Sequence, residues 1–303
     1  MQKETFHRYK NAILIFTGVC LLLLIFTVYG RNSMIKGGED VTRMNITPFL
    51  NNYGGWGGLL ILIFIIPVSA SIGAIIGGYV MAPLYLIIHQ FLFRKMIYGV
   101  QEVPKSKSFK HVFKGFYPAL LSVNINSIII FSTNGLFEKI LVPSLLLPDI
   151  DFAIQYAFGS ILLMMFTIGL SMFIFAPTWF LKDSGIVYSN TEYVQALGIP
   201  DEVRAVGGWF YDYIKGYSGF SVMFSYLQLI LLFYYSEFQS GYLVDIVMFM
   251  FIFGLPLFIT LLLIPSFILL DITLESRIRF IREIAARMGI TQFVETNFER
   301  TNT

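Results

Sequence analysis

The chain has 303 residues, 56% of them hydrophobic and only 13% charged, with a net charge of +2 and a mean hydropathy of +0.71. Soluble domains carry about 25% charge, so this chain lacks the polar residues to cover a water-facing surface of its size, and most of that surface must face lipid. A single cysteine, Cys20, excludes an intrachain disulfide framework, the net charge says little in itself, and no nucleic-acid partner is expected.

The basic start "MQKETFHRYK" and the apolar run behind it resemble the first two regions of a signal peptide. The run is long enough to span, and no small-residue cleavage site follows it, so it reads as a retained first span. A bilayer core of about 30 Å needs about 20 apolar residues. Six segments meet that length, at about 12–29, 59–82, 118–137, 153–181, 218–236 and 243–270. Lys and Arg near span ends favour the cytoplasm. Seventeen of the 21 basic residues fall on one side of a six-span arrangement. They occupy the N-terminus, the 94–117 and 182–217 loops and the tail. The expected fold is therefore an all-α integral membrane protein of six transmembrane helices. Both termini are cytoplasmic, the membrane domain covers 1–270, and 271–303 is an amphipathic tail. The cell membrane is the expected location. Trp56, Trp179 and Trp209 fall at the expected interfaces, where indole is favoured. Asn45–Thr47 forms a formal glycosylation sequon on an outer loop.

The second segment belongs to a 35-residue stretch, Leu59–Phe93, without Asp, Glu, Lys or Arg. At 1.5 Å per residue such a helix would reach about 52 Å, well beyond the bilayer core. One span ending near Ala82, followed by an inner-surface helix anchored by Arg94 and Lys95, keeps the charge pattern intact. A hairpin would place the basic 94–117 loop outside. Within the stretch, Ser69, Gly73 and Gly77 recur every four residues, and Ala70, Ala74 and Gly78 form a row beside them. Small residues at this spacing let another helix backbone approach closely. The partner is another helix of the same chain, a second copy, or a separate membrane subunit.

Polar residues inside a span need partners, because lipid offers none. The third span contains Asn124, Asn126 and Ser127. These are candidates for a substrate or ion path, or for hydrogen bonds between helices. His89 near the inner interface and Asp245 at the start of the last span join them as path candidates. The basic 94–117 loop and the tail could hold anionic lipid. In the tail, Leu274, Ile278, Ile281, Ala285 and Met288 make one apolar stripe. Glu275–Arg279 and Glu283–Arg287 are favourable pairs four residues apart, and Gly289 is positioned to end the helix. In the 182–217 loop, a helix starting at Pro200 would put Val203, Val206, Phe210 and Ile214 on one face, weakened by Gly207–Gly208.

"EYVQALG", residues 192–198, resembles the E-A-A-x-x-x-G coupling loop of ABC-type importer permeases, with Glu192 and Gly198 at the matching spacing. Tyr193 and Val194 replace the paired alanines and the closing hydrophobic-Pro is missing, and "EIAARMG" at 283–289 repeats the same Glu-to-Gly spacing. The resemblance implies an importer subunit that couples to a cytoplasmic ATPase. His7, His89 and His111 are far apart, and no H-E-x-x-H, cysteine cluster, phosphate-binding loop or nucleophile elbow occurs. No metal, cofactor or enzyme activity is expected. The reading that follows is a non-catalytic subunit or scaffold of a membrane complex, in the lipid bilayer, alone as a homo-oligomer or with a partner membrane subunit. The alternative is a transporter or channel-like protein with a polar path near span three.

Overall fold

The computed structural model describes residues 9–21, 56–101, 114–132, 152–190, 203–235, 254 and 256–290. These are mostly helical. Helix α1 covers Tyr9–Leu21, α2 Trp56–Leu92, α3 Phe116–Ser132 and α4 Phe152–Asp183. Helix α5 covers Val206–Tyr235, α6 residues 256–262, α7 Ile264–Ile272 and α8 Leu274–Arg287. All six apolar segments therefore contain helix. Two stretches, Ile63–Leu92 and Leu162–Asp183, are long and apolar enough to cross a membrane.

The 56–92 segment is one continuous helix that runs through Pro67 and Pro83. It contains neither a hairpin nor a break after Ala82. Its exposed apolar side chains recur every three or four residues from Phe64 through Val68, Ile72, Ile76, Val80 and Leu84 to Phe91, as an apolar face on a helix requires.

The expectation of a purely helical chain misses one feature. Met96–Val100 (β1), Ile186–Asn190 (β2) and Arg204–Ala205 (β3) form a three-stranded antiparallel sheet in the order β1-β2-β3. Tyr98 stands opposite Tyr188, and Tyr188 opposite Arg204. The connections 94–117 and 182–217 thus pair with each other through β1 and β2. The helix expected from Pro200 also changes: Arg204–Ala205 is strand and α5 starts at Val206. Gly207 stands at a close contact between helices. A Cβ there would stand 2.5 Å from the Lys182 backbone nitrogen, so the glycine lets the start of α5 sit on the end of α4.

The chain divides into two units. The first takes residues 1–73, 108–172 and 216–270. In it, α1 packs Ala12 and Phe16 against Leu261, Ile264 and Ile268. Ser266 Oγ donates to the Pro67 carbonyl at 2.7 Å. Helices α2 and α4 meet where Ser69 Oγ donates to the Met165 carbonyl at 2.6 Å and where Gly73 lies on the Gly169 backbone. Both contacts join residues 96 apart, so the two helices run parallel.

The second unit takes 74–107, 173–215 and 271–303. Here Gly77 lies on the Phe173 backbone with the same offset, and Gly78 sits under the Phe180 ring. Pro177 cannot donate to the Phe173 carbonyl, which leaves that oxygen facing the bare Cα of Gly77. Helix α8 packs on this unit. Its Arg277, Ile281 and Ala285 are buried, Phe280 meets Tyr79 edge-on, and Arg282 Nε donates to the Ser184 carbonyl at 3.0 Å. Arg277 lies 3.6 Å from the Asp183 carboxylate and 4.4 Å over the Phe180 ring. Burial lowers its guanidinium pKa, and Asp183 pushes back in the other direction. The helix ends at Gly289, where φ is +80°. Ile290 N–H donates to the Ala285 carbonyl and Gly289 N–H to that of Ala286, which caps the end of the helix.

Candidate functional site

The polar residues of the third segment divide by face. Asn124 and Asn126 are both buried. Asn126 Nδ2 approaches the Met164 sulfur at 3.8 Å, and its Oδ1 has no hydrogen-bond partner. Ser122, which the sequence reading passed over, contacts Thr167 at 2.9 Å, hydroxyl to hydroxyl. Ser122 and Asn126 are four residues apart and therefore share the face turned to α4. That spacing is visible in the sequence. Ser127 lies in α3, but its side chain falls outside the described residues. So do Asp245, the Asn45 sequon, the 192–198 loop and residues 102–113 of the basic loop.

The small-residue rows have defined places. In the first unit Ser69 and Gly73 contact α4, and Ala70 is buried. In the second unit Gly77 and Gly78 contact α4, and Ala74 is buried.

His89 stands apart from the other candidates. It is completely buried, at the centre of an aromatic box in the second unit. Tyr188 and Phe93 have ring centroids 4.5 and 4.6 Å from the imidazole. Trp209 follows at 5.4 Å, Tyr98 at 5.7 Å and Phe210 at 5.9 Å. The box draws on four elements and one turn. Helix α2 supplies His89, the turn after it Phe93, β1 and β2 the opposed tyrosines, and the first turn of α5 Trp209 and Phe210.

The polar side of the box is a short chain of hydroxyls. His89 Nδ1 is 2.8 Å from Tyr98 Oη, and Tyr98 Oη is 3.1 Å from the His89 carbonyl oxygen. Across the sheet, Arg204 hydrogen-bonds the Tyr188 side chain. Burial, reinforced by neighbouring Tyr188, pushes the Tyr98 hydroxyl up to about 12. Burial also raises Tyr188, although Arg204 opposes the shift. Both hydroxyls therefore keep their protons at neutral pH.

These protons fix the histidine tautomer. Tyr98 has one proton to give. If it goes to the His89 carbonyl, Nδ1 must carry a hydrogen and donate to Tyr98 Oη, and both contacts are satisfied. If it goes to Nδ1, two oxygen lone pairs face each other at the carbonyl and a buried Nε2–H has no acceptor. The first arrangement is favoured, and it leaves Nε2 as a bare lone pair. Nε2 has no hydrogen-bond partner. A buried polar atom without a partner costs roughly 1–3 kcal/mol.

Among the described residues no group of three or more His, Cys, Asp or Glu side chains is placed to hold a metal ion. Comparisons with protein-family models, with curated proteins and with solved structures found no match to this chain.

Proposed function

We propose that the chain is a six-span protein of the cell membrane, with both termini cytoplasmic, that acts as a non-catalytic subunit or scaffold of a membrane complex. Helix in all six apolar segments and the one-sided distribution of Lys and Arg support the topology. The second unit carries the functional reading. The chain folds a sheet and an amphipathic helix there and fastens the helix with Arg277 and Arg282. A folded unit with Glu275, Arg279, Glu283 and Arg287 exposed is a surface for a partner subunit or for anionic lipid. Gly73, Gly77 and Gly78 contact α4 of the same chain, the first of the partners that the small-residue rows allowed.

The test is the native mass and subunit composition of the protein extracted in mild detergent. A second polypeptide at fixed stoichiometry is the expected result, and a lone monomer defeats the scaffold reading. The transporter reading keeps one observation in its favour, the buried Asn126 Oδ1 with no partner. Transport activity that disappears in Asn126→Leu while the protein still inserts would decide for it.

A further inference from the structure

Resting on the membrane reading above, we infer that the second unit meets lipid along the last turns of α2. Acyl chains cover Ile76, Val80, Leu84, Ile87 and Phe91 there, and an anionic phospholipid headgroup sits on Arg94 and Lys95. That leaves the exposed face of α8 for a partner subunit.

The part of α2 that belongs to the second unit has two faces. Ala74, Ala82, Leu86 and His89 are completely buried. On the opposite side of the helix, Ile76, Val80, Leu84, Ile87 and Phe91 are between 43% and 64% exposed and follow one stripe. A continuous apolar stripe this exposed marks a contact surface. Two occupants suit it, acyl chains or the helix of another membrane subunit. Helices approach one another through small residues, and the small residues here, Gly77 and Gly78, face α4 instead. The stripe itself is built of branched and aromatic side chains, which favours lipid.

Length and charge place the headgroup. The stripe belongs to Ile63–Leu92, 30 residues long, which reach about 45 Å at 1.5 Å per residue. A bilayer is about 30 Å thick in its hydrocarbon core and about 40–45 Å with its headgroup layers. A helix of that length crosses the core and still has its last turns among the headgroups. Arg94 and Lys95 follow α2 directly, and both are exposed. The Arg94 guanidinium lies 4.5 Å over the exposed Phe91 ring and makes no ion pair among the described residues. The ring can then lie against acyl chains while the guanidinium above it meets a phosphate. A soluble acidic partner would match the two cations but not the stripe. Helix α8 offers no such surface. Its exposed side chains are Glu275, Ser276, Arg279, Glu283, Ala286 and Arg287. Two acids offset two bases, and no large apolar residue stands among them.

The experiment uses the full chain in phosphatidylcholine nanodiscs. Cys20 is replaced by serine, and a bimane is attached to a single cysteine introduced by Ile76→Cys, Ile87→Cys or Arg279→Cys. Each is quenched with the same small fraction of phosphatidylglycerol or phosphatidylcholine carrying a nitroxide on its acyl chain. Bimane at position 87 should be quenched by both, and about fivefold more effectively by phosphatidylglycerol. Arg94→Gln with Lys95→Gln should bring the two lipids level. Bimane at position 279 should stay unquenched. Quenching at 76 but not at 87 overturns the inference and leaves the spanning reading standing. No quenching at 76 defeats the spanning reading and the inference with it. Equal quenching by the two lipids at 87 overturns the anionic headgroup, and a preference that survives the loss of both cations overturns their role. Stronger quenching at 279 than at 87 overturns the division between α2 and α8.

Discussion

Replacing Gly73 with alanine adds one methyl group where the α2 and α4 backbones touch. The new Cβ would stand 2.8 Å from the Gly169 carbonyl carbon and 2.9 Å from its Cα, with the carbonyl oxygen closer still. Carbon atoms settle at about 3.5–4.0 Å, so relief requires about 1 Å of movement. All three obstructing atoms are backbone, and no rotamer change relieves them. The helices must separate, which loosens the Ser69–Met165 hydrogen bond one turn away. Overpacking of this kind costs about 1–3 kcal/mol. The protein contains its own control. Gly219, in α5, has open space around the position of a Cβ, so Gly219→Ala gains helix propensity worth about 0.5–1 kcal/mol. The two variants should therefore differ in sign. Unfolding by sodium dodecyl sulfate from mixed micelles, followed by far-ultraviolet circular dichroism, measures both. If Gly73→Ala matches Gly219→Ala, the parallel helices do not approach as closely as described.

Removing Arg277 leaves Asp183 without its ion pair and opens space beside Phe180. Arg277→Ala should release α8, so trypsin cuts at Arg279, Arg282 and Arg287 faster than in wild type, while Arg279→Ala leaves the helix in place. Equal cleavage in Arg277→Ala and wild type would show that the ion pair does not hold the helix. The raised Tyr98 pKa predicts a loss of stability in alkali. The protonated hydroxyl is favoured in the folded state, so its contribution is complete below pH 10 and falls as pH rises from 10 through about 12. Tyr98→Phe should flatten stability against pH over that window, and an unchanged slope would refute the assignment.

The apolar helices were legible because length and composition alone mark a segment long and apolar enough to cross a membrane, as Ile63–Leu92 and Leu162–Asp183 are. The sheet was harder to see. Met96 pairs with Asn190 and Val100 with Ile186, so no local period announces the pairing, and β3 is two residues long. Some signal was present. "MIYGV" and "IVYSN" are short runs rich in β-branched and aromatic residues beside a helix end, which is a strand composition. His89 read as an interfacial histidine because the sequence shows only its neighbours on α2. Its burial comes from rings on three other segments, the furthest of them Phe210. Of the stripe expected on α8, Ile281 and Ala285 are buried, while Leu274, Ile278 and Met288 are half-buried. Arg277, which lies outside that stripe, is buried too, and only Asp183 and Phe180, distant in sequence, explain it.

The parallel arrangement of α2 and α4 constrains the order of events during synthesis. Ser69 meets Met165 across 96 residues, which take about 5–20 s to translate. Through that interval the Gly73 face of α2 has been made without its mate. Any other small-residue helix that drifts past, including one from a neighbouring nascent copy, competes for the groove. The protein's yield in a cell thus depends on how fast the intervening segment is made, and a translational pause before α4 should favour mispaired chains.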